Sequence, residues 1–283
     1  MSNAFTLHDI VANALAEDAP WGDASAALIP ENATARADLV AREPGVFSGC
    51  EAWTTAFTLA DASSQVTWHT CDGDRFEAGS RLATVTGPAR GILRAERIGL
   101  NLVQRMSGIA TLTRQFVDAV DGTGARIVDT RKTTPGLRIL ERQAVRDGGG
   151  FNHRFSLSDA VMVKDNHLAI LTASGASVTD ALRTARAQLG HTVAFEVEVD
   201  RLDQIPPLLD AGVPIIMLDN FSLADLRAGV ALIDGRATVE ASGGVTLETV
   251  RDIASTGVDV ISVGALTHSA RALDLGLDIN HTP

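Results

Sequence analysis

The positive charges of this chain are distributed unevenly between arginine and lysine. Lys132 and Lys164 are the only two lysines among 24 lysine and arginine residues. Lys132 directly follows Arg131 in "VDTRKTTPGL", and "GGGFNHR" adds His153 and Arg154. Arginine offers a planar fork that suits a carboxylate, whereas lysine is a point charge that suits a phosphate oxygen or a developing charge. Because like charges repel when they gather, these residues predict a site for a small ligand with several negative groups.

Carboxylates that could accompany such a site follow in "FEVEVD" and "MLDN". Glu198 and Asp219 are the favoured pair for holding Mg²⁺ opposite a phosphate, with waters and substrate oxygens completing the coordination shell. Glu196 points to the same side of a strand as Glu198 and stays an alternative, but Glu198 lies nearer the carboxyl end. Salt bridges to the cations are a second role for these carboxylates, and the two roles are compatible.

Small residues near the end of the chain predict a phosphate site. Ser242, Gly243 and Gly244 in "EASGGV", and Gly264 and Ala265 in "SVGAL", each follow an apolar stretch. We expect the glycine pair to expose backbone N–H groups at the start of the helix "TLETVRDIA", an arrangement that binds phosphate.

All of these residues lie at or after the ends of six predicted strands. The strands "RIVDTRK", "AVMVKDN", "VAFEVEVD", "PIIMLDN", "ATVEASGG" and "DVISVGAL" alternate with amphipathic helices. This alternation predicts a parallel sheet, and its short, regular repeat favours a barrel over an open sheet. A closed barrel of this type has eight strands, so the sequence predicts an α/β fold with an incomplete β/α barrel. The carboxyl ends of barrel strands form one rim, where active sites are built.

The first part of the chain has a different pattern of predicted secondary structure. A short helix over Leu7–Glu17 precedes alternating strand-like pieces separated by Gly, Pro and Asp, which predict a small α+β, sandwich-like domain. A long helix follows, and Gly108 is expected to divide it. We therefore predict an N-terminal domain over 1–108, a catalytic barrel over 109–266, and a tail over 267–283 that packs on the first domain.

Composition excludes several classes of function. The net charge is −11 and the pI is about 5.0, so neither nucleic acid nor an anionic membrane is an expected partner. The start of the chain lacks a basic region followed by an apolar run, and no stretch is apolar enough to span a membrane. With only two cysteines, Cys50 and Cys71, the chain fits a reducing cytoplasm.

Three other interpretations stay open at this point. Asp219 or Ser242, taken alone, could cap the next helix. Lys132 and Lys164 cannot have this capping role, because a lysine side chain has no acceptor oxygen. Lys164 could form a Schiff base in an aldolase-like barrel, which borohydride trapping would reveal. The chain could also be a non-catalytic binder of phosphorylated pyridines, which would have no use for Glu198 and Asp219.

Seven segments resemble those of one known family. They are similar, in order, to segments of the quinolinate phosphoribosyltransferases, and "KDNH" at 164–167 separates the chain from a related branch found beside molybdate transport genes. The segments are "ERIGLNLVQRMSGIATLTRQFVDAV", "DTRKTTPGLR", "GGGFNHRFSLSDAVMVKDNH", "FEVEVD", "MLDN", "EASGGV" and "ISVGALTHSARALDLGLD".

The resemblance implies an activity, a cofactor and an assembly. Quinolinate and phosphoribosyl pyrophosphate would give nicotinate mononucleotide, CO₂ and pyrophosphate, with Mg²⁺, in NAD synthesis. It also implies a homodimer in which Arg97 reaches the site of the neighbouring subunit.

The resemblance further implies roles for individual residues. Lys132, Lys164, Glu198 and Asp219 would be catalytic, and Glu198 and Asp219 would also handle Mg²⁺ and the ribose hydroxyls. The substrate-binding set adds the quinolinate contacts Arg131, His153 and Arg154, Thr130 beside Lys132, and the 5′-phosphate contacts Ser242, Gly243, Gly244, Gly264, Ala265 and His268.

Overall fold

The structure is a computed structural model that describes residues 6–280. Residues 1–5 and 281–283, the outer ends of the predicted N-terminal domain and tail, lie outside the described residues. Among the helices described, none is both long and apolar enough to cross a membrane. The α-helices are α1 (Leu7–Asp18), α2 (Cys50–Ala60), α3 (Ala89–Ala119), α4 (Arg138–Asp147), α5 (Asp165–Thr172), α6 (Val178–Ala187), α7 (Ile205–Asp210), α8 (Leu223–Ile233), α9 (Val250–Ala254) and α10 (Ala265–His268).

The strands belong to two main sheets and one short, two-stranded antiparallel sheet. They are β1 (Thr34–Ala41), β2 (Gly45–Val46), β3 (Gln65–Trp68), β4 (Arg75–Phe76), β5 (Arg81–Pro88), β6 (Arg126–Val128), β7 (Val161–Val163), β8 (Phe195–Val199), β9 (Ile215–Asp219), β10 (Thr238–Ser242), β11 (Val260–Ser262) and β12 (Leu275–Asn280).

The chain forms two compact units. Within the described residues, unit 1 takes in the chain up to residue 114, residues 133–149 and the chain from residue 266 onward. Unit 2 takes in residues 115–132 and 150–265.

Unit 1 contains an antiparallel sheet with the strand order β12-β1-β5-β3. The C-terminal strand β12 pairs with β1 in the register Leu39↔Leu277. Helix α2 contributes Trp53 and Phe57, which are fully buried with ring centroids 4.7 Å apart. Burial of two large aromatic side chains gives this unit an apolar core of its own.

The prediction that Gly108 divides the long helix is wrong. Helix α3 runs unbroken from Ala89 to Ala119. The missing side chain at Gly108 serves packing instead, because a Cβ atom there would lie 1.9 Å from the carbonyl oxygen of Arg271. A single glycine inside a helix costs only about 1 kcal/mol, so a long helix tolerates it where another stretch of backbone passes this closely.

Unit 2 contains a parallel sheet with the strand order β6-β11-β10-β9-β8-β7. These are the six strands predicted from the sequence, and the α/β fold with an incomplete barrel is confirmed. Strands β6 and β7 follow one another in the chain but lie at opposite edges of the sheet. The order is therefore that of a β/α barrel that is open between its first two strands.

Candidate active site

The register of the parallel strands places polar residues on one face of the sheet in unit 2. Met162 pairs with Glu196, and Glu198 pairs with Met217, which in turn pairs with Glu240. Side chains that pair in register point to the same face, and residues of alternate parity point to the other. The residues of the other parity are buried and apolar; they include Val163, Val197, Leu218, Ala241 and Ile261. One face of the sheet thus belongs to the apolar core, while the other face presents the polar side chains.

A cavity of about 520 Å³ opens on the polar face of unit 2. Most of the predicted site residues line this cavity, which we call the rim pocket. The predicted residues found there are Thr130, Arg131, Lys132, His153, Arg154, Lys164, Glu198, Asp219, Ser242, Gly243 and Gly244.

Four predicted site residues are not among the residues that line the rim pocket. Gly264 and Ala265 belong to unit 2, where Ala265 begins α10 directly after β11. Arg97 and His268 belong to unit 1, and both are exposed. The roles predicted for these four residues stay predictions.

Arg131, Lys132, Arg154 and Lys164, which we call the cation cluster, all line the rim pocket. Burial lowers the pKa of Arg154, and the neighbouring guanidinium of Arg131 lowers it further. The Nη1 atom of Arg154 donates to the carbonyl oxygen of Ala160 at 3.0 Å, which fixes its side chain. Repulsion among these cations makes the pocket a strong site for a multiply charged anion.

Lys164, a member of the cation cluster, has an acidic partner in Glu198. Its Nζ atom forms an ion pair with Oε2 of Glu198, and the Lys164 side chain is 43% exposed. The pair therefore lies within reach of solvent and of a ligand. A salt bridge between these carboxylates and the cations was one of the two roles predicted for them, and the structure contains this one.

His153 lies between two buried carboxylates, and we call His153, Glu196 and Glu240 the buried trio. Its Nε2 atom is 3.2 Å from Oε2 of Glu196 and 3.3 Å from Oε2 of Glu240. Burial raises the pKa of Glu196, and the nearby Glu240 adds to this against the opposing effect of His153. Burial lowers the pKa of His153, but hydrogen bonds to the two glutamates outweigh burial and raise it to about 10. The trio therefore retains an extra proton at neutral pH.

The backbone orients the imidazole ring of His153. The N–H of Arg154 donates to Nδ1 of His153 at 2.7 Å, so Nε2 is the ring nitrogen that faces the two carboxylates and carries a proton toward them. The trio lies close enough together to be a set of metal ligands, but a protonated Nε2 offers no lone pair to a metal.

Asp219, Gly243 and Gly244 line another part of the rim pocket. Asn220 has a positive φ of 58°, its amide donates to Oδ2 of Asp219 at 2.7 Å, and its N–H donates to the carbonyl oxygen of Ser242 at 2.9 Å. A Cβ atom at Gly243 would lie 2.2 Å from Oδ1 of Asn220, so only glycine fits there. Gly243 and Gly244 have φ values of 95° and 60°, which suit glycine.

The predicted position of the glycine pair at a helix start is wrong. Helix α9 begins at Val250, several residues after Gly244, and it is only five residues long. Any phosphate contact at Gly243 and Gly244 would therefore come from the N–H groups of the loop itself, which successive positive-φ residues orient. The predicted helix "TLETVRDIA" begins at Thr246, but threonine and valine are weak helix formers and the observed start is later.

Five pocket residues were absent from the predicted site. Glu240 is the most consequential, because it completes the buried trio from the middle of a strand instead of its end. Its alternation with Ser242 was a usable signal, since residues two apart share a face. The five are Met162, Met217, Asn220, Glu240 and Ser262.

Comparison with known proteins gives consistent results over nearly the whole chain. Residues 9–107 match the N-terminal domain of quinolinate phosphoribosyl transferase, and residues 109–278 match its C-terminal domain. A nicotinate-nucleotide pyrophosphorylase (carboxylating) of Mycobacterium leprae is 45% identical, with 96% of each chain covered. A probable nicotinate-nucleotide pyrophosphorylase (carboxylating) of Bacillus subtilis is 42% identical, with 98% of this chain and 94% of that protein covered.

Solved structures agree with these sequence matches. The crystal structure of NadC from Streptococcus pyogenes is 39% identical and superimposes with a TM-score of 0.91, with 99% of each chain covered. The nicotinate-nucleotide pyrophosphorylase of Francisella tularensis is 36% identical with a TM-score of 0.90, covering 97% of this chain and 96% of that one.

Proposed function

This chain belongs to the quinolinate phosphoribosyltransferase family, and from that premise we propose how its rim pocket converts quinolinate and phosphoribosyl pyrophosphate to nicotinate mononucleotide, CO₂ and pyrophosphate. The enzyme is a decarboxylating phosphoribosyltransferase of NAD biosynthesis. The observation that carries the assignment of the site is the cation cluster, which shares one cavity with Glu198 and Asp219. Both substrates are multiply anionic, and this pocket matches them in charge.

The two carboxylates of quinolinate are proposed to pair with Arg131, Arg154 and Lys164. Arginine binds a carboxylate through two parallel hydrogen bonds, which fixes the plane of the pyridine ring as well as its position. Lys132 follows Thr130, whose hydroxyl accepts the N–H of Lys132 at 3.1 Å and so shapes the turn that carries it. We assign Lys132 to the pyrophosphate side, where a point charge suits phosphate oxygens.

The 5′-phosphate of the second substrate is proposed to bind at Ser242, Gly243 and Gly244. The positive-φ glycines turn loop N–H groups in one direction, and such concave sets of N–H groups bind anions. Gly264, Ala265 and His268 are proposed to extend this subsite.

Mg²⁺ is proposed to be held by Glu198 and Asp219 together with substrate oxygens. One oxygen of Asp219 accepts the Asn220 amide, and one oxygen of Glu198 pairs with Lys164. Among the described residues no hydrogen bond is directed at the second oxygen of either carboxylate. Mg²⁺ typically uses one or two carboxylates and completes its shell with water and phosphate, so this donor set fits it. When bound, the ion would neutralise charge on pyrophosphate.

Asp219→Asn is expected to raise the Mg²⁺ concentration needed for half-maximal turnover about tenfold, because an amide oxygen is a weaker ligand than a carboxylate. The measurement is a Mg²⁺ titration of the initial rate at saturating substrates. Asp225→Asn, an exposed aspartate in the first turn of α8, is the matched control and should titrate like the wild type. An unchanged Mg²⁺ requirement in Asp219→Asn would remove this residue from the metal site.

The chemistry then follows from the charges around the substrates. As the bond from the anomeric carbon to pyrophosphate breaks, Lys132 stabilises the growing negative charge on pyrophosphate. The ribose carbon becomes oxocarbenium-like, and a carboxylate, Glu198 or Asp219, stabilises it. The pyridine nitrogen forms the new bond to that carbon and becomes cationic.

Decarboxylation uses the cation that the first step creates. The bond from the ring to the adjacent carboxylate breaks, CO₂ leaves, and the electron pair stays on the ring carbon beside the cationic nitrogen. A proton then adds to that carbon and gives nicotinate mononucleotide. No residue acts as a covalent nucleophile in this scheme, so positioning and electrostatics supply the rate enhancement.

The direct test is an assay of the purified protein with quinolinate and phosphoribosyl pyrophosphate. We expect CO₂ and pyrophosphate to be released in equal amounts, and their release to require both substrates. Turnover without release of CO₂, or with nicotinate in place of quinolinate, would overturn the proposal.

The assembly is proposed to be a homodimer in which Arg97 serves the partner's site. Helix α5 has no buried residue, although it carries Ile170, which is 77% exposed. Leu157, in the same unit, is 72% exposed. Exposed apolar side chains of this size commonly mark an interface, and a second copy of the chain would cover them. Its free cysteines, Cys50 and Cys71, suit the reducing cytoplasm where we propose the enzyme works.

Mixing two inactive variants is expected to restore activity if Arg97 acts across the interface. In a dimer of Arg97→Ala with Lys164→Ala, one site has both residues intact and the other has neither. Random exchange of subunits would thus make about a quarter of all sites functional. The measurement is turnover after mixing and refolding the two variants. No gain over either variant alone would show that Arg97 does not act in trans.

A further inference from the structure

Asp129 is a fully buried carboxylate that lies just after β6 and is not among the residues that line the rim pocket. Its Oδ1 atom accepts the N–H of His153 at 2.7 Å, and its Oδ2 atom accepts the side-chain amide of Asn152 at 2.7 Å. Burying a carboxylate is costly unless hydrogen bonds compensate its charge. These two short bonds supply such compensation, and both come from the segment that precedes Arg154.

Backbone hydrogen bonds also connect the segment before Arg154 to β6. The N–H of Phe151 donates to the carbonyl oxygen of Ile127 at 2.8 Å, and the N–H of Asp129 donates to the carbonyl oxygen of Phe151 at 3.1 Å. Val128 and Phe151 form an isolated parallel bridge. Residues 151–153 thus run beside β6, at the edge where the barrel is open, and Asp129 is the side chain that anchors their end.

The segment held by Asp129 leads directly to two residues of the rim pocket. The N–H of Arg154 donates to Nδ1 of His153, so the backbone at His153 sets the ring of His153 and the start of Arg154 together. The Nη2 atom of Arg154 lies 3.6 Å from the sulfur of Met162, and its Nη1 atom donates to Ala160. We infer that Asp129 is a positioning residue that holds the His153–Arg154 segment in place for binding of the quinolinate carboxylates. This inference rests on the role proposed above for Arg154 in binding quinolinate.

The geometry requires a carboxylate at this position. The N–H of His153 and the side-chain amide of Asn152 approach different oxygens of Asp129, and a carboxylate can accept at both. An amide has a single acceptor oxygen, so Asp129→Asn would set an N–H group against another N–H group and break one of the two bonds. Because the Asp129 side chain is fully buried, the loss of one of its hydrogen bonds is costly.

The test is the effect of Asp129→Asn on each substrate separately. We expect the KM for quinolinate to rise about tenfold or more, since small displacements of a positioned group are costly, while the KM for phosphoribosyl pyrophosphate stays within about twofold. A purely structural role would lower the melting temperature without this selectivity. Equal changes in both KM values, or neither, would overturn the inference.

A compensating substitution sharpens the test. In the double variant Asp129→Asn/Asn152→Asp, the new amide at 129 donates to the new carboxylate at 152 and still accepts the N–H of His153. The double variant is expected to recover most of the quinolinate KM, whereas Asn152→Asp alone, which sets two carboxylates together, is not. If Asp129→Asn fails to fold, Asn152→Ala deletes one bond from the other side, and an unchanged quinolinate KM in that variant would also overturn the inference.

Two further measurements separate this inference from the proposed function. Quinolinate binding to each variant, measured by calorimetry without the second substrate, reports on the site even if turnover is not the one proposed. Asp259→Asn is the matched control, because among the described residues the Asp259 side chain accepts one N–H, that of Val239 at 2.8 Å, and an amide oxygen can serve one donor. This control is expected to bind quinolinate like the wild type.

Discussion

Replacing Lys164 by alanine is expected to lower kcat/KM for quinolinate by about 10²–10³-fold, the usual cost of removing one preorganised charge from a transition-state site. Two effects combine in this variant. The substrate loses a cation, and Glu198 loses its ion-pair partner. The released Glu198 carboxylate then adds a negative charge to a pocket built for anionic substrates. The measurement is steady-state kinetics with each substrate varied in turn.

Lys164→Arg serves as the charge-conserving control. It keeps the positive charge but replaces a compact ammonium with a larger planar group, so we expect only partial recovery of kcat/KM. Full activity in Lys164→Ala would remove the residue from the mechanism. The same variants address the Schiff-base interpretation, because borohydride with quinolinate should leave wild-type Lys164 unmodified. Trapping of an adduct on Lys164 would instead favour the aldolase-like chemistry.

The strands of unit 2 were predictable because each is a short apolar run that ends in polar residues. Runs such as "PIIMLDN" have no competing helical interpretation of sufficient length, and Asp219 marks the point where the strand meets solvent. The incomplete barrel followed from the number of such runs. What the sequence could not supply was the strand order, and therefore the opening between β6 and β7, because that depends on pairing between distant segments.

The site was predictable to the extent that its residues lie at strand ends. Lys164, Glu198 and Asp219 are of this kind, and all three line the rim pocket. Glu240 and Asp129 were missed for different physical reasons. Glu240 lies within a strand, and its contact with His153 depends on register between β10 and a loop far away in the sequence. Asp129 lies at the end of the predicted strand "RIVDTRK", but its side chain is fully buried and accepts the N–H of His153 in the loop, a contact that depends on tertiary structure.

The helix predictions failed for two different physical reasons. Gly108 is a local helix breaker, but the approach of the Arg271 carbonyl makes a residue without a side chain necessary there. In the loop after β10, the predicted helix begins at Thr246, but threonine and valine are weak helix formers and the observed helix starts only at Val250. Packing therefore decides the first case, and weak local propensity accounts for the second.

Arg131→Ala is expected to raise the KM for quinolinate about 10- to 100-fold, since a charge-assisted hydrogen bond contributes roughly 1.5–3 kcal/mol. The same substitution should leave the stability of the free protein unchanged or increase it. Arg131 is close enough to Arg154 to lower the pKa of that residue, which means that the two cations repel. Without a bound anion, removing Arg131 relieves this repulsion. The melting temperature of the free protein should therefore stay the same or rise.

Weaker quinolinate binding without a loss of stability in the free protein distinguishes a binding site from a structural ion cluster. We expect saturating quinolinate to raise the melting temperature of the wild type and to raise that of Arg131→Ala much less at the same concentration. Arg227→Ala, an exposed arginine on α8, is the control and should match the wild type both with and without quinolinate. A lower melting temperature of free Arg131→Ala, together with an unchanged quinolinate KM, would mean that Arg131 stabilises the fold. The accumulation of cations at the rim would then need a cause other than its substrates.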